Sequence, residues 1–581
     1  MDDLKTSNIE ASNIIIIEDK IKEISKISAN ISENVIIFMI RPQIEILNSV
    51  INTGLILNSI KPNIKKYLVF IPGENQDIIE HMIANYVINS FSIESLNYDL
   101  IPIDIDLLSL ERDNTLKEMY IEKNLSVIDD FAYAFAKFEN CFGKVKYKYI
   151  KGDLANNFCK TVEEKENEMG LNNSEEILGM IVLDRSVDFL TLMCSNYTLE
   201  GLLDENFGIN LGKIKVKESL LKEGLSKTPI KSDKLIPYGI TTKNNKFYCS
   251  FRCMHYLDVS RYVIIIKEYY KKLTNDNKKN GEKLSMSHLE ELTKELNEFV
   301  EIKDKIIILE NLINYLIKSK ENNLYLNYIE KEQLMLAGDL PHNLYNYYEE
   351  HLYEQRDIKS LIKLMVIESL TQNGIKDYQK LKREILNIYG YQYIFLLRDL
   401  EQIGWLKEKV FLTNIFNLRK NITELTHIQI NEKFNLVNLN YDSKNIQDCS
   451  YVFGGYCPLS LRLIETALEG KWNKLNDTIK KIPGYLAYPQ NEDVITNLEK
   501  DTNIILIVFV GGITFTEIEG IRYLNRKFKE EYINKKRDKK LQFVIITTGI
   551  LNTKKIFENF GNIGKPSFTM KQFRDCIKSK F

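Results

Sequence analysis

The strongest pattern of hydrophobic and polar positions lies between residues 180 and 209. Residues 180–183 form a short apolar run bounded by charge, which predicts a strand buried on both faces. A polar segment containing Asp184, Arg185 and Asp188 follows directly. The next apolar positions share one face of a helix: Leu199, Leu202, Leu203 and Phe207. This stretch therefore predicts a strand, a polar turn and a helix.

Strand patterns alternate with helical patterns in two other parts of the chain. Near the N-terminus, helical spacing separates three apolar runs, at residues 35–40, 67–71 and 100–103. Near the C-terminus, apolar runs at residues 504–510 and 543–548 flank a helix that begins with the capping box of Thr514 and Glu517. Strands that alternate with helices predict parallel sheets and an α/β fold.

The middle of the chain is predominantly helical by the same criterion. Residues 257–449 carry apolar positions at helical spacing, with a helical hairpin predicted around the break at residues 338–341. The aromatic-rich segment 378–406 either presents an exposed patch to a partner or packs into the helical core. Residues 210–246 have poor periodicity and many lysines, which predicts a long surface connection facing solvent or anionic lipid.

These patterns predict an α/β-plus-α architecture with a large helical insertion in the second α/β domain. We expect α/β domain one at residues 1–150 and helical domain three at residues 251–449. Domain two is then split into residues 151–250 and 450–581. Residues 451–465 open its second piece with a predicted strand, a Gly-Gly turn and a helix.

Composition and charge limit the classes of function. The chain has 581 residues, of which 44% are hydrophobic and 27% are charged, with a net charge of −2, so nothing in it indicates nucleic acid as a partner. Eight cysteines in so long a chain favour a reducing compartment over a disulfide scaffold. No N-terminal signal segment or apolar run of bilayer length is apparent, so any membrane role is expected to be peripheral.

The polar turn after residues 180–183 is the first candidate for chemistry. Asp184 and Asp188 could act as a general acid and base. Arg185 lies between them, however, and an arginine between two carboxylates favours a structural ion-pair network at a strand end. We therefore expect no catalytic residue here.

Metal ligands are the second candidate. Cys249, Cys253 and His255 have tolerable zinc spacing, but no second pair follows at the distance of a zinc finger. Asp104 and Asp106 lack a third ligand, which favours a solvated or capping role. The sequence thus indicates no metal site.

Phosphate binding is the strongest alternative that would make the chain an enzyme, because a helix after a glycine turn can hold an anion. Gly511-Gly512 is not followed by a Walker lysine, and Gly454-Gly455 does not match the dinucleotide fingerprint. The glycines are better explained by tight turns, and no cofactor is expected.

Five motifs resemble the Sec/Munc (SM) family of membrane-fusion proteins. They are LDRSVDFLT, YTLEGLLDENFGI, LKREILNIYGYQYI, GGYCPLSLRL and GGITFTEI. The Leu-Leu-Asp-Glu and Tyr-Gly-Tyr sequences resemble the vacuolar protein sorting 33 branch, although Leu192 stands where the family usually has proline. The residues of this structural signature are Asp184, Arg185, Asp188, Glu200, Gly201, Asp204, Gly454, Gly455, Gly511 and Gly512.

The resemblance implies an arch-shaped SM fold and a function without catalysis. SM proteins bind SNARE helices in a groove and template their assembly into the fusion complex. The resemblance places that groove on the helical domain, around the hairpin, at Tyr328, Leu336, Gly338, Leu340 and Tyr347.

The vacuolar branch implies further partners. Its members are subunits of the HOPS and CORVET tethering complexes in endosome-to-vacuole or lysosome trafficking, and they act from the cytoplasm at those membranes. The helical class C vacuolar sorting subunit sixteen would contact Lys382, Tyr391 and Ile394. An SM protein of another trafficking step and a nucleotide-binding α/β enzyme are the alternatives.

Overall fold

The computed structural model describes residues 14–16, 35–40, 47–48, 50–51, 65–70, 91–95, 99–112, 114–170, 174–225, 232–280, 286–409, 425–438, 440–442, 446–489, 502–534 and 540–561. The chain divides into two compact units, one from Met1 to Ile101 and the other from Pro102 to Phe581.

The first unit contains a four-stranded parallel sheet. Its strands follow the chain order: β1 (Ile14–Ile16), β2 (Val35–Ile40), β3 (Lys65–Phe70) and β4 (Ser92–Ser95). Phe38 and Leu68 are buried partners in neighbouring strands. The predicted strands at residues 35–40 and 67–71 are thus confirmed.

A seven-stranded sheet forms the centre of the second unit. Its strands, in spatial order, are β12 (Leu486–Ala487), β7 (Lys144–Lys151), β8 (Glu175–Asp184), β13 (Thr502–Val510), β14 (Lys540–Thr547), β6 (Leu107–Ser109) and β5 (Ile101–Asp104). β8 and β13 pair in parallel, with Ile181 opposite Ile507. Met180 and its three successors are buried, which confirms the strand predicted from residues 180–183.

The sheet differs from the expected domain division at one point. β7 pairs with β8, and β6 pairs with β14 through Leu107 opposite Ile545. A boundary at residue 150 would therefore cut through this sheet, whereas the division between compact units falls at Ile101. The sequence could not indicate this, because β6 is only three residues long and its partner lies more than 400 residues away.

Helices flank the seven-stranded sheet and the turn after β8. Those before the helical region are α1 (Thr115–Tyr120), α2 (Ser126–Phe142), α3 (Asp153–Glu168), α4 (Leu199–Phe207), α5 (Glu218–Leu221) and α6 (Lys246–Cys249). The helical region contains α7 (Tyr256–Asn280), α8 (Met286–Lys320), α9 (Asn323–Ala337), α10 (Leu344–Tyr353), α11 (Ile358–Thr371), α12 (Tyr378–Tyr389), α13 (Ile394–Gln402) and α14 (His427–Phe434). The last helices are α15 (Leu459–Leu468), α16 (Trp472–Ile479), α17 (Phe515–Ile533) and α18 (Thr553–Asn559). The predicted helical character of residues 257–449 is confirmed in the described part.

Two local predictions are wrong. The surface connection predicted at residues 210–246 is instead a small antiparallel sheet of β9 (Ile209–Asn210), β10 (Lys213–Lys217) and β11 (Leu235–Gly239). The strand predicted at the start of residues 451–465 is a 3-10 helix, Cys449–Val452, because the Asp448 side chain accepts a hydrogen bond from the Ser450 amide and caps it. Within the described part of the chain, no helix is long and apolar enough to cross a bilayer.

Candidate functional site

Asp184 ends β8 and begins the polar turn. Its Oδ1 accepts hydrogen bonds from the Ser186 amide (2.9 Å) and from the Tyr120 hydroxyl. Its Oδ2 accepts from the Leu154 amide at 2.9 Å. Both oxygens are therefore engaged in joining β8 to α1, α3 and the 3-10 helix Arg185–Val187.

Arg185 and Glu517 form a buried ion pair between the turn and the first turn of α17. Their side chains are 1% and 0% exposed, and Arg185 Nη1 lies 2.8 and 3.0 Å from the two carboxylate oxygens. Burial alone would lower the pKa of Arg185, but the negative charges of Glu517 and Asp188 outweigh it and raise that pKa. The guanidinium therefore stays charged, and the pair holds the sheet to the C-terminal helix.

Glu517 also accepts hydrogen bonds from two other segments. Its Oε2 accepts from the Thr514 amide at 3.0 Å, and the Thr514 hydroxyl accepts from the Glu517 amide, which confirms the predicted capping box. Its Oε1 accepts from the Ser460 hydroxyl at 2.5 Å. One carboxylate thus connects β8, α15 and α17.

Asp188 completes this network. Its carboxylate accepts from the Thr191 hydroxyl at 2.7 Å and from the Ser460 amide at 3.1 Å. The two carboxylates offered by the sequence as an acid and base pair therefore lie in a buried structural network beside an arginine.

A second buried cluster contains Glu200 together with Asp104 and Asp106, the two aspartates that were considered as metal ligands. Arg522 lies between Glu200 (2.8 Å) and Asp106 (2.8 Å), while Arg252 pairs with Asp104 at 2.5 Å. Burial opposes ionisation of Asp104, but the hydrogen bond and charge of Arg252 lower its pKa overall. In the described part of the chain no group of three acidic, histidine or cysteine side chains could hold a metal ion.

The remaining signature residues shape the backbone around these clusters. A Cβ atom on Gly201 would lie 2.5 Å from the Thr516 hydroxyl, and one on Gly511 would lie 2.8 Å from Arg185 Cβ. Asp204 accepts hydrogen bonds from the Ile209 amide and the Asn552 side chain. The glycines at tight turns all have positive φ: Gly454, Gly455, Gly511 and Gly512.

The predicted groove residues do not share one surface. Leu336 and Gly338 are buried, whereas Leu340 is 51% exposed after the end of α9. Tyr328 and Tyr347 are buried but line a cavity of about 470 Å³ between α9, α10, α11 and α18. α9 packs mainly against α11 and α10 against α12, so the hairpin helices are supported by separate partners.

Exposed apolar residues near the hairpin were not predicted. Leu326 and Leu334 lie on the outer face of α9, and Ile428 lies beside Gly338. One sequence pattern could have revealed the exposed face of α9. Leu326, Glu330 and Leu334 recur at four-residue intervals, and residues with this spacing share one face of a helix.

The aromatic-rich segment divides between surface and core. Tyr391 and Ile394 are 69% and 36% exposed, and Phe395 beside them is also exposed. Lys382 lies within this segment, on α12, and pairs with Glu401 at 2.6 Å. Trp405, in contrast, is fully buried. We call Tyr391, Ile394 and Phe395 the aromatic patch.

Family comparison matches residues 1–559 to the Sec1 family. The chain belongs to this family. It is 25% identical to a vacuolar protein-sorting-associated protein 33 homolog of Arabidopsis thaliana, over 90% of this chain and 86% of that protein. It is also 24% identical to human vacuolar protein sorting-associated protein 33B, over 94% of this chain and 90% of that protein. The resemblance to the SM family and its vacuolar branch is thereby confirmed.

Solved structures share the fold of this chain at low sequence identity. The Unc18–syntaxin 1 complex from Monosiga brevicollis matches with a TM-score of 0.56 and 12% identity, covering 96% of both chains. The SM protein Vps45 in complex with the Qa SNARE Tlg2 matches with a TM-score of 0.55 and 12% identity, covering 96% of this chain and 95% of that one. The expected fold class is confirmed by these two neighbours.

Proposed function

We propose that this chain is an SM-type regulator of membrane fusion that binds SNARE helices and templates their assembly without catalysing a reaction. The observation that carries the proposal is the match to the Sec1 family over residues 1–559. Two neighbours in fold support it, since Unc18 was solved with syntaxin 1 and Vps45 with the Qa SNARE Tlg2.

The proposed SNARE surface lies at the break between α9 and α10. An amphipathic helix is recognised by apolar side chains that line a groove. Leu340, Leu334 and Ile428 are exposed apolar side chains near that break and could supply such contacts. A SNARE helix held there would lose its conformational freedom before the other helices join, which lowers the ordering cost of assembly.

The vacuolar branch supports a more specific role. We propose that the chain is a subunit of HOPS- or CORVET-like tethering complexes in endosome-to-vacuole or lysosome trafficking. The aromatic patch and Lys382 would contact the helical class C subunit sixteen, because exposed aromatic anchors often dominate such interfaces. The chain would then act from the cytoplasm, peripherally attached to those membranes.

The same proposal gives the chain three domains. Domain one is the N-terminal α/β unit, domain three is the helical region near residues 251–449, and domain two is split around it. The seven-stranded sheet favours assigning residues 102–151 to domain two.

Co-purification of the full chain from its own cells tests the tethering role. We expect a large helical sorting subunit to co-purify with the wild type and to be lost from Tyr391→Asp and Ile394→Lys. Tyr353→Asp is the matched control, because Tyr353 is an exposed tyrosine on α10 outside the patch. A subunit that stays bound to the folded patch variants would contradict the interface. SNAREs without that subunit would indicate another trafficking step.

Binding of purified SNARE helices tests the broader role. We expect Leu340→Asp to weaken binding by at least tenfold, whereas Leu125→Asp, an exposed leucine before α2, should leave it unchanged. Wild-type protein that binds no SNARE helix would contradict the SM function itself.

A further inference from the structure

The small antiparallel sheet carries a row of lysines on one face. β10 is its central strand, between β9 and β11. Successive side chains on a strand point to opposite faces. Ile214 and Val216 are buried, whereas Lys213, Lys215 and Lys217 are exposed. We call these three residues the lysine row.

The residues that lie directly opposite the lysine row in the neighbouring strands are uncharged. Lys213, Lys215 and Lys217 lie opposite the following residues of β11: Gly239, Pro237 and Leu235. On the other side, Lys213 lies opposite Asn210 of β9. Directly opposed residues share one face of a sheet. Within the sheet, this face therefore combines three positive charges with small or apolar neighbours and no acidic side chain.

The segment of sequence that contains the lysine row is rich in lysine. Residues 210–246 contain nine lysines and three acidic residues, although the whole chain has a net charge of −2. One acidic residue, Asp233, pairs with Lys217 at 2.8 Å, but the two side chains are 87% and 60% exposed. A pair that is so exposed is weak and screened by salt, so it does not neutralise the row.

Apolar side chains stand at the ends of this face. Leu235 is 50% exposed opposite Lys217, and Leu211, in the turn between β9 and β10, is 42% exposed. Lys213 and Lys217, at the two ends of the row, are four strand positions apart, which corresponds to roughly 14 Å at about 3.4 Å per residue. The face is thus basic, with apolar side chains at its edges.

We propose that the lysine row docks this protein on an anionic lipid bilayer. The surface of an anionic leaflet attracts basic residues without demanding a fixed geometry, which suits lysine, a flexible point charge. Leu211 and Leu235 would enter the headgroup region beside the ammonium groups. An acidic protein would require acceptors matched to each lysine. Glycine and proline opposite Lys213 and Lys215 add no polar side chain that would orient such acceptors. The inference goes beyond the proposed function, since it needs neither a SNARE nor a tethering subunit.

Vesicle flotation of the purified full chain tests the proposal. One set of vesicles contains phosphatidylcholine alone, and the other an equimolar mixture of phosphatidylcholine and phosphatidylserine. Each basic residue near an anionic surface is worth ~1 kcal/mol, or about fivefold in partitioning. We therefore expect the combined variant Lys213→Gln, Lys215→Gln and Lys217→Gln to bind mixed vesicles on the order of 100-fold more weakly than the wild type.

A matched control separates position from total charge. Lys474, Lys480 and Lys481 are exposed lysines around α16, and their replacement by glutamine changes the net charge equally. We expect this control to bind mixed vesicles as the wild type does, and wild-type binding to fall as salt is raised. The circular dichroism of each variant checks that it is folded.

Three outcomes would overturn the proposal. They are wild-type protein that does not distinguish the two kinds of vesicle, row variants that bind mixed vesicles unchanged, and an equal loss in the control. Binding of SNARE helices in solution is measured on the same proteins, so failure of lipid docking is distinguishable from failure of the proposed function.

Discussion

Replacing Glu517 by glutamine removes the negative charge opposite Arg185 and keeps the shape of the side chain. Both side chains are almost completely buried, and the guanidinium lies 2.8 Å from the carboxylate. Removing one partner of a buried ion pair costs about 3 to 5 kcal/mol, because the remaining charge stays buried without compensation. We expect Glu517→Gln to lower the free energy of unfolding of the second unit by this amount, a large part of the usual margin of about 5 to 15 kcal/mol.

Two further variants separate the ion pair from the helix cap. Thr514→Ala removes the hydroxyl that accepts from the Glu517 amide and should cost only about 1 kcal/mol. The double variant Arg185→Met and Glu517→Leu removes both charges. It should therefore be less destabilised than the sum of its two single variants.

Urea unfolding measured by circular dichroism gives the midpoint for each variant. Hydrogen–deuterium exchange of peptides from β8 and α17 localises the change, which is needed because a chain of two compact units need not unfold in one step. A Glu517→Gln variant whose free energy of unfolding lies within about 1 kcal/mol of the wild type, roughly the effect of losing one helix cap, would refute the central role of the pair. If the losses in free energy of unfolding of the two single variants add up to the loss of the double variant, the coupling between Arg185 and Glu517 is refuted.

Three other changes have defined outcomes. Burial raises the pKa of Glu368 to about 7, so the folded state retains a proton that the unfolded chain has already released. The free energy of unfolding should therefore fall by roughly 3 kcal/mol between about pH 4.5 and 7. Urea midpoints measured across that range should show this fall for the wild type and lose it for Glu368→Gln. Gly511→Ala, at a φ of 102° and beside Arg185, should cost more than about 1 kcal/mol by thermal unfolding, and an unchanged melting temperature would contradict the strain. Glu332→Gln weakens the hydrogen bond accepted from the Ser195 amide at 2.6 Å, so hydrogen exchange of the Ser195 amide, which precedes α4, should rise while exchange in β14 stays unchanged.

Local patterns predicted the buried parts of the fold well. The strand at residues 180–183 and the capping box of Thr514 and Glu517 are confirmed because each depends on neighbours within a few positions. The partner of Arg185 was not predictable in this way, since Glu517 lies 332 residues later. The sequence indicated an ion-pair network at this turn but offered only Asp184 and Asp188 as its acidic members.

The wrong predictions concern short elements whose sequence patterns fit more than one secondary structure. Lys213–Lys217 alternates lysine with isoleucine and valine, which is a strand pattern, but its high charge favoured a loop. The 3-10 helix at Cys449–Val452 consists of residues that also suit a strand, and only the capping contact of Asp448 decides between them. The exposure of Tyr391 and the burial of Trp405 depend on tertiary packing, which periodicity in one aromatic-rich segment could not separate.

The pairing of β8 with β13 also constrains how the protein can be made. β8 ends at Asp184 and β13 begins at Thr502, so the ribosome must synthesise the whole helical region before β8 gains its central neighbour. At about 5 to 20 residues per second, that interval lasts roughly 15 to 60 s. During it, the unpaired N–H and C=O groups along this edge of β8 remain open to pairing with other chains. The nascent protein therefore passes through a prolonged stage in which chaperones would protect the exposed edge of this apolar strand.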